Sequence, residues 1–122
     1  MPGVSKTDAK YDDYGPVAEW RGEVSGYAIE FTVFKQDIDS APMLKGLPGD
    51  RCTCPHWGYV LSGQVTFTTD NGEETYGPGD AFYVPPGHLQ RAVAGTEYLS
   101  FSPADELRPV EETIMRNMAA MR

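Results

Sequence analysis

The chain contains two cysteines and two histidines, and all four stand in two short segments, Cys52-Thr53-Cys54-Pro55-His56 and Pro85-Pro86-Gly87-His88. Thiolate sulfur and imidazole nitrogen are good metal ligands, so this concentration points to a metal site. Side chains alternate across an extended chain, which puts Cys52, Cys54 and His56 on one face and Thr53 and Pro55 on the other. His88 and Gln90 share a face in the same way after the Pro-Pro-Gly turn. Two thiolates with imidazoles favour zinc, with iron, nickel and copper as alternatives, whereas manganese and calcium prefer oxygen donors. The expected metal set is Cys52, Cys54, His56 and His88, with Gln90 as the alternative donor from the second segment. The plainer reading makes each Cys a small buried hydrophobe and each His a hydrogen-bonded structural residue. Four ligands would close the site in the manner of a structural zinc, while three would leave a position for water or substrate.

These residues need elements to position them. YAIEFTVF puts Tyr27, Ile29, Phe31 and Val33 on one face and Ala28, Glu30, Thr32 and Phe34 on the other, the period of a strand. DIDSAPMLKGLPGD reads as a long loop. WGYVLSG and QVTFTTD are two β-rich runs that break near Ser62 and Gly63, and Asp70-Asn71-Gly72 signals a tight hairpin. A short segment around residues 74–76 follows, then AFYV between turn residues, then EYLSFS near residues 97–102. Short strands at close intervals indicate a sandwich or barrel. At the C-terminus Val110, Ile114 and Met118 fall at helical spacing, with Glu111 and Glu112 early and Arg116 and Arg122 late, as the helix dipole favours. The expected organisation is a flexible tail over residues 1–13, one β domain over 14–105 and a helix over 106–122.

Length and composition bound the function. A chain of 122 residues with 40% hydrophobic and 11% aromatic residues suits one packed domain. A net charge of -8, from 18 acidic against 10 basic residues, argues against nucleic acid or an anionic membrane as partner. The N-terminus has no apolar segment of the signal-peptide kind, and no apolar run approaches a membrane span. A disulfide across the single residue between Cys52 and Cys54 is strained. Free thiols or metal ligands in a reducing, cytoplasmic setting are therefore expected.

Between residues 27 and 103 the glycines and prolines resemble the cupin family. Its first motif runs Gly, five residues, His-x-His, three or four residues, Glu, six residues, Gly. Here Gly46 to Cys52 and His56 to Gly63 keep the outer spacings, with Cys52 and Cys54 at the two His positions and His56 at the Glu position. Its second motif begins Gly, five residues, Pro-x-Gly, matched by Gly79, Pro85 and Gly87; Gln90 then replaces its His and Ala94 its Asn, while His88 stands two residues earlier. The resemblance implies an all-β, antiparallel jelly-roll β-barrel with the C-terminal α-helix added, whose interior holds a metal and a small organic ligand. It also implies a homodimer.

Small cupins include isomerases, polyketide cyclases, dioxygenases and proteins that only bind ligands, and a fold does not choose among them. The leading expectation is a metal-binding cupin acting on a small organic molecule. The alternatives are a non-catalytic binding or sensing module with a structural zinc site, and a cupin without metal that keeps only an apolar pocket. Tyr59 and Phe82, with Trp57, Phe67 and Tyr83, are candidates for that pocket. Arg51 and Arg91 flank the ligands, but alternation turns them to the surface.

Overall fold

The computed structural model describes residues 3–121; the expectations for Met1, Pro2 and Arg122 lie outside the described residues. Ten strands precede one helix: β1 Lys10–Asp13, β2 Val17–Val24, β3 Tyr27–Phe34, β4 Ile38–Asp39, β5 His56–Ser62, β6 Val65–Thr69, β7 Gly72–Tyr76, β8 Ala81–Val84, β9 Leu89–Ala92, β10 Glu97–Pro103 and α1 Ala104–Ala120. Every strand pairing is antiparallel. The strands form a six-stranded sheet in the order β1-β2-β3-β10-β5-β8 and a four-stranded sheet in the order β4-β9-β6-β7. The chain is thus mostly β with one C-terminal helix. Among the described residues the hydrogen bonding gives two separate sheets and not one closed ring.

Period-two alternation explains which faces meet. In β3 the pattern buries Ala28, Glu30, Thr32 and Phe34 and turns Tyr27 outward. Phe34, Val60, Val65, Phe67, Phe82, Val84 and Ala92, from both sheets, form one core cluster between them. A second cluster joins Ala28, Leu44, Cys52 and Cys54 to Leu107 and Val110 of α1. There the helix covers the end of the six-stranded sheet.

Several details depart from the sequence expectations. Lys10–Asp13, inside the expected tail, pair with β2 as an edge strand. The Ser25-Gly26 turn, with φ of 53° and 83°, is the two-residue hairpin geometry that joins β2 to β3. Residues 37–50, expected as loop, contain β4 and two short 3-10 turns, Ala41–Met43 and Pro48–Asp50. The helix begins at Ala104, two residues early, and Ala104 N–H donates to Gly26 O at 2.9 Å. In the β6–β7 hairpin Gly72 takes φ 113°. At Gly63, φ is 76° and a Cβ would meet Thr96 Oγ1 at 2.3 Å, so this turn admits only glycine.

Candidate metal centre

Two backbone segments build the centre. Cys52 lies in the irregular stretch before β5 and pairs with His88, which precedes β9, in an isolated antiparallel bridge. Cys52 N–H donates to His88 O at 3.0 Å, and the Gly87 N–H donates to Cys52 O at 2.7 Å. Gly87 has φ 91°, which lets the chain turn back onto Cys52. His56 opens β5 and faces inward beside them.

The structure brings Cys52, His56 and His88 together: one ligand atom from each lies within 4.8 Å of the others. Cys52 Sγ is 3.5 Å from His56 Nε2, and the two imidazole rings stand edge to face with centroids 5.0 Å apart. His88 is 1% exposed and Cys52 5%. His88 Nδ1–H donates to Pro85 O at 2.8 Å, which leaves Nε2 as the ring atom with a lone pair to offer. His56 Nδ1 is held by Ser102 Oγ at 2.7 Å, with Nε2 towards the sulfur. Each ring thus has one nitrogen fixed by a neighbour and the other free for a ligand bond, as metal-binding histidines are commonly arranged.

Cys54 does not join them. Its side chain is fully buried in the cluster under α1, and its thiol faces Pro55 O at 3.4 Å and Pro103 O at 3.9 Å. The expectation that Cys54 shares a face with Cys52 assumes an extended chain. The backbone bends at Arg51 and Cys54 instead, and β5 begins only at His56.

Burial sets the protonation of the metal-free site. It pushes the Cys52 thiol up to about 11 and the Cys54 thiol up to about 12. It pulls His56 down to about 3, with His88 adding to the effect, and it lowers His88 as well. Neutral imidazoles are the metal-binding form, and the Cys52 thiol would lose its proton on binding a cation. One soft sulfur and two borderline nitrogens on this spacing fit zinc or a neighbouring first-row ion.

The three residues lie on the wall of a cavity of about 270 Å³, with Gln90 and Tyr98 from the strands and Leu44, Leu107 and Val110 on the helix side. Gln90 Nε2–H donates to Tyr98 Oη at 2.9 Å. Met115 also lines the cavity and is 48% exposed, so the mouth opens beside α1. Residues 53–99 match the cupin domain family. Over these residues the chain is similar to the cupin domain family.

No curated protein matches this chain in sequence. Among solved structures it is similar to the polyketide cyclase RemF from Streptomyces resistomycificus, with a TM-score of 0.60, 19% identity and coverage of 85% of this chain and 80% of that one. It is similar to an RmlC-like cupin from Shewanella frigidimarina NCIMB 400 (TM-score 0.58, 19% identity, 85% and 93% covered). It also resembles a sugar phosphate isomerase of the cupin superfamily from Silicibacter pomeroyi DSS-3 (TM-score 0.58, 16% identity, 84% and 75% covered). At these identities the likeness shows the fold.

The other candidate residues divide. Gln90 lines the cavity, but its amide is engaged by Tyr98. Tyr59, on the outward face of β5, is 42% exposed and does not line the cavity. Phe82 is 6% exposed and belongs to the inter-sheet core; it does not line the cavity. Arg51 Nη1–H donates to Gly87 O, and Arg91 pairs with Glu73 at the surface. Sequence reasoning missed Ser102, which holds His56, and four charged residues of the cavity wall: Glu19, Arg21, Glu30 and Glu111. Glu30 had a signal, because a carboxylate alternates onto the strand face that carries Ala28 and Phe34.

Proposed function

We propose that this chain holds a divalent metal ion, zinc in the first instance, on Cys52, His56 and His88, and acts as a metal-dependent enzyme of isomerase, cyclase or dioxygenase type on a small organic molecule. The observation that carries the reading is that three donor atoms within 4.8 Å of one another open onto a cavity of about 270 Å³. Three protein ligands are the number typical of catalytic zinc sites, whereas structural zinc sites take four. The non-catalytic alternative, a closed zinc site, needs Cys54, whose thiol packs under the helix. Bound there, the ion would act as a Lewis acid towards a ligand oxygen or lower the pKa of a water.

The chain's own residues supply the rest. Ser102 and the Pro85 carbonyl aim the two imidazoles. Tyr98 and Gln90 offer polar contacts, and Leu44, Leu107 and Val110 exclude water from one side of the ligand. The two facing sheets are read as halves of a cupin jelly roll. The solved structures that the chain resembles include a polyketide cyclase and a sugar phosphate isomerase, which fits a small oxygen-bearing substrate.

A homodimer and a reducing, cytoplasmic setting belong to the same proposal. No helix among the described residues is long and apolar enough to cross a membrane, and both cysteines are free. The outer face of the six-stranded sheet carries Tyr27, Trp57, Tyr59, Leu61, Tyr83 and Phe101, all exposed. A contiguous apolar patch of this kind marks an interface. In a chain of net charge -8, a mainly apolar patch is where two copies meet with least repulsion.

The test is metal content by inductively coupled plasma mass spectrometry on untagged protein purified without chelator, with thiol titration before and after metal removal. The expected result is near one equivalent of zinc or iron. Metal-free protein that takes up none on reconstitution would leave the apolar pocket as the seat of function.

A further inference from the structure

The cavity has a second polar wall that the metal-binding reading does not use. Glu19 and Arg21 of β2, Glu30 of β3 and Glu111 of α1 all line it, and one oxygen from each carboxylate lies within 4.8 Å of the others. Arg21 is the cation among them: its Nη1 contacts Glu111 and stands 3.5 Å from Glu30 Oε2 and 3.9 Å from Glu19 Oε1. A guanidinium already at the centre leaves no place there for a metal ion. Three carboxylates against one guanidinium is an excess of buried negative charge, which a protein relieves by keeping a proton.

Glu30 is the residue positioned to keep it. It is 8% exposed, and its buried Oε2 has no hydrogen-bond partner, an arrangement that costs free energy unless a ligand completes it. Burial first, then the charges of Glu19 and Glu111, raise its carboxyl well above the ordinary range, against the lowering effect of Arg21. Tyr98 of β10, neutral through burial, faces the same space.

We propose that Glu30 is the proton donor of this cavity, delivering the proton on Oε2 to a small keto or hydroxyketo compound bound between it and the Cys52, His56 and His88 cluster. This rests on the small-molecule reading above and narrows it to proton-transfer chemistry at a carbon next to a carbonyl. In the step, the Oε2–H bond breaks and its electron pair stays on Oε2. The proton forms a new bond to the enolate carbon of the ligand, giving the ketone, and in the reverse direction the carboxylate takes a proton from that carbon and leaves the enolate. Arg21, 3.5 Å away, stabilises the carboxylate so produced, and the reverse transfer restores the acid. No oxidant or reductant is needed. A general acid of this kind works best when its pKa lies near the operating pH.

The experiment uses the full chain loaded with zinc and hydroxyacetone as the probe in deuterated water. Carbon-bound proton exchange is followed by NMR in wild type, Glu30→Gln and Glu30→Asp, and the infrared band of a protonated carboxylic acid is recorded at neutral pH on the same proteins. The expected result is a protonated-carboxyl band that Glu30→Gln removes, with exchange slowed at least about tenfold in that variant at unchanged zinc content. Glu30→Asp, which keeps the acid on a shorter arm, retains a protonated band and exchanges more slowly than wild type. Equal exchange in wild type and Glu30→Gln, no exchange by wild type, or a Glu30 already ionised at neutral pH would overturn the proposal. Failure of wild type to take up zinc would contradict the metal reading instead, and the infrared result would still decide Glu30.

Discussion

Cys52 and His88 meet through their backbones before their side chains meet. The Cys52 N–H donates to His88 O at 3.0 Å and the His88 N–H to Cys52 O at 3.3 Å, so two segments distant in sequence are fixed side by side by a bridge. The ligands are therefore preorganised by main-chain hydrogen bonds, and a substitution at Cys52 tests the side chain without removing the bridge.

Cys52→Ser is expected to abolish tight zinc binding, because a hydroxyl is a far poorer zinc donor than a thiolate. Cys54→Ser is expected to keep its zinc. It should instead lose roughly 1–3 kcal/mol of stability, since it puts a hydroxyl into a fully buried apolar cluster. Zinc content and urea unfolding on the two variants check the contrast. Equal zinc loss in both would return Cys54 to the ligand set.

Most of this architecture was legible in the residues, and the failures have physical causes. Alternation over Tyr27–Phe34 separated the two faces of β3 without saying which is buried, and the structure buries the less apolar one, Ala28, Glu30, Thr32 and Phe34; Gly63 and Gly87 marked turns, and both take positive φ. β2 escaped notice because Glu19, Arg21 and Glu23 interrupt its apolar residues, and two of these charges face the cavity. The Ser25-Gly26 turn was the available clue. Cys54 was misplaced because face-sharing was inferred from an extended chain where the backbone bends. Tyr59 and Trp57 look like pocket residues in the sequence, but β5 turns them outward while His56 and Val60 face in. The contribution of α1 to the cavity could not be read from the strands.

Ser102→Ala should weaken zinc affinity by about 10- to 100-fold, the usual effect of losing a partner that orients a ligating histidine. Its hydroxyl is the group that holds His56 Nδ1 at 2.7 Å. A chelator competition titration measures the change, and Ser102→Thr, which restores a hydroxyl, should recover part of it. An affinity unchanged in Ser102→Ala would show that packing alone orients the ring.

The metal-free protein should lose stability as pH falls below about 6.5. His56 titrates at about 3 in the folded chain and near 6.5 when unfolded. In that window the unfolded chain binds more protons, so stability drops by up to about 1.4 kcal/mol per pH unit for such a group. Glu30 works in the opposite sense: its folded pKa is raised, so its contribution is present below the unfolded carboxylate pKa and lost as pH rises through the folded value. Urea unfolding across pH should show a flatter acid limb in His56→Gln and a smaller loss on the neutral side in Glu30→Gln. Wild-type slopes in both variants would contradict the assignments.

Trp57→Lys should give a monomer at concentrations where wild type is a dimer, with zinc content unchanged. Trp57 is 43% exposed on the outer sheet face, 5.0 Å from the Tyr83 ring and 6.4 Å from the Tyr27 ring. A charge there adds a desolvation cost to any contact between copies. Light scattering coupled to size exclusion reads the mass. A monomeric wild type would remove the homodimer from the account.

X-ray absorption at the zinc edge of the reconstituted protein tests the three-residue centre most directly. The account predicts one sulfur at about 2.3 Å, two imidazole nitrogens and a further light atom from solvent or ligand. Two sulfurs would bring Cys54 into the site, close it, and contradict the claim that Cys52, His56 and His88 alone hold the metal.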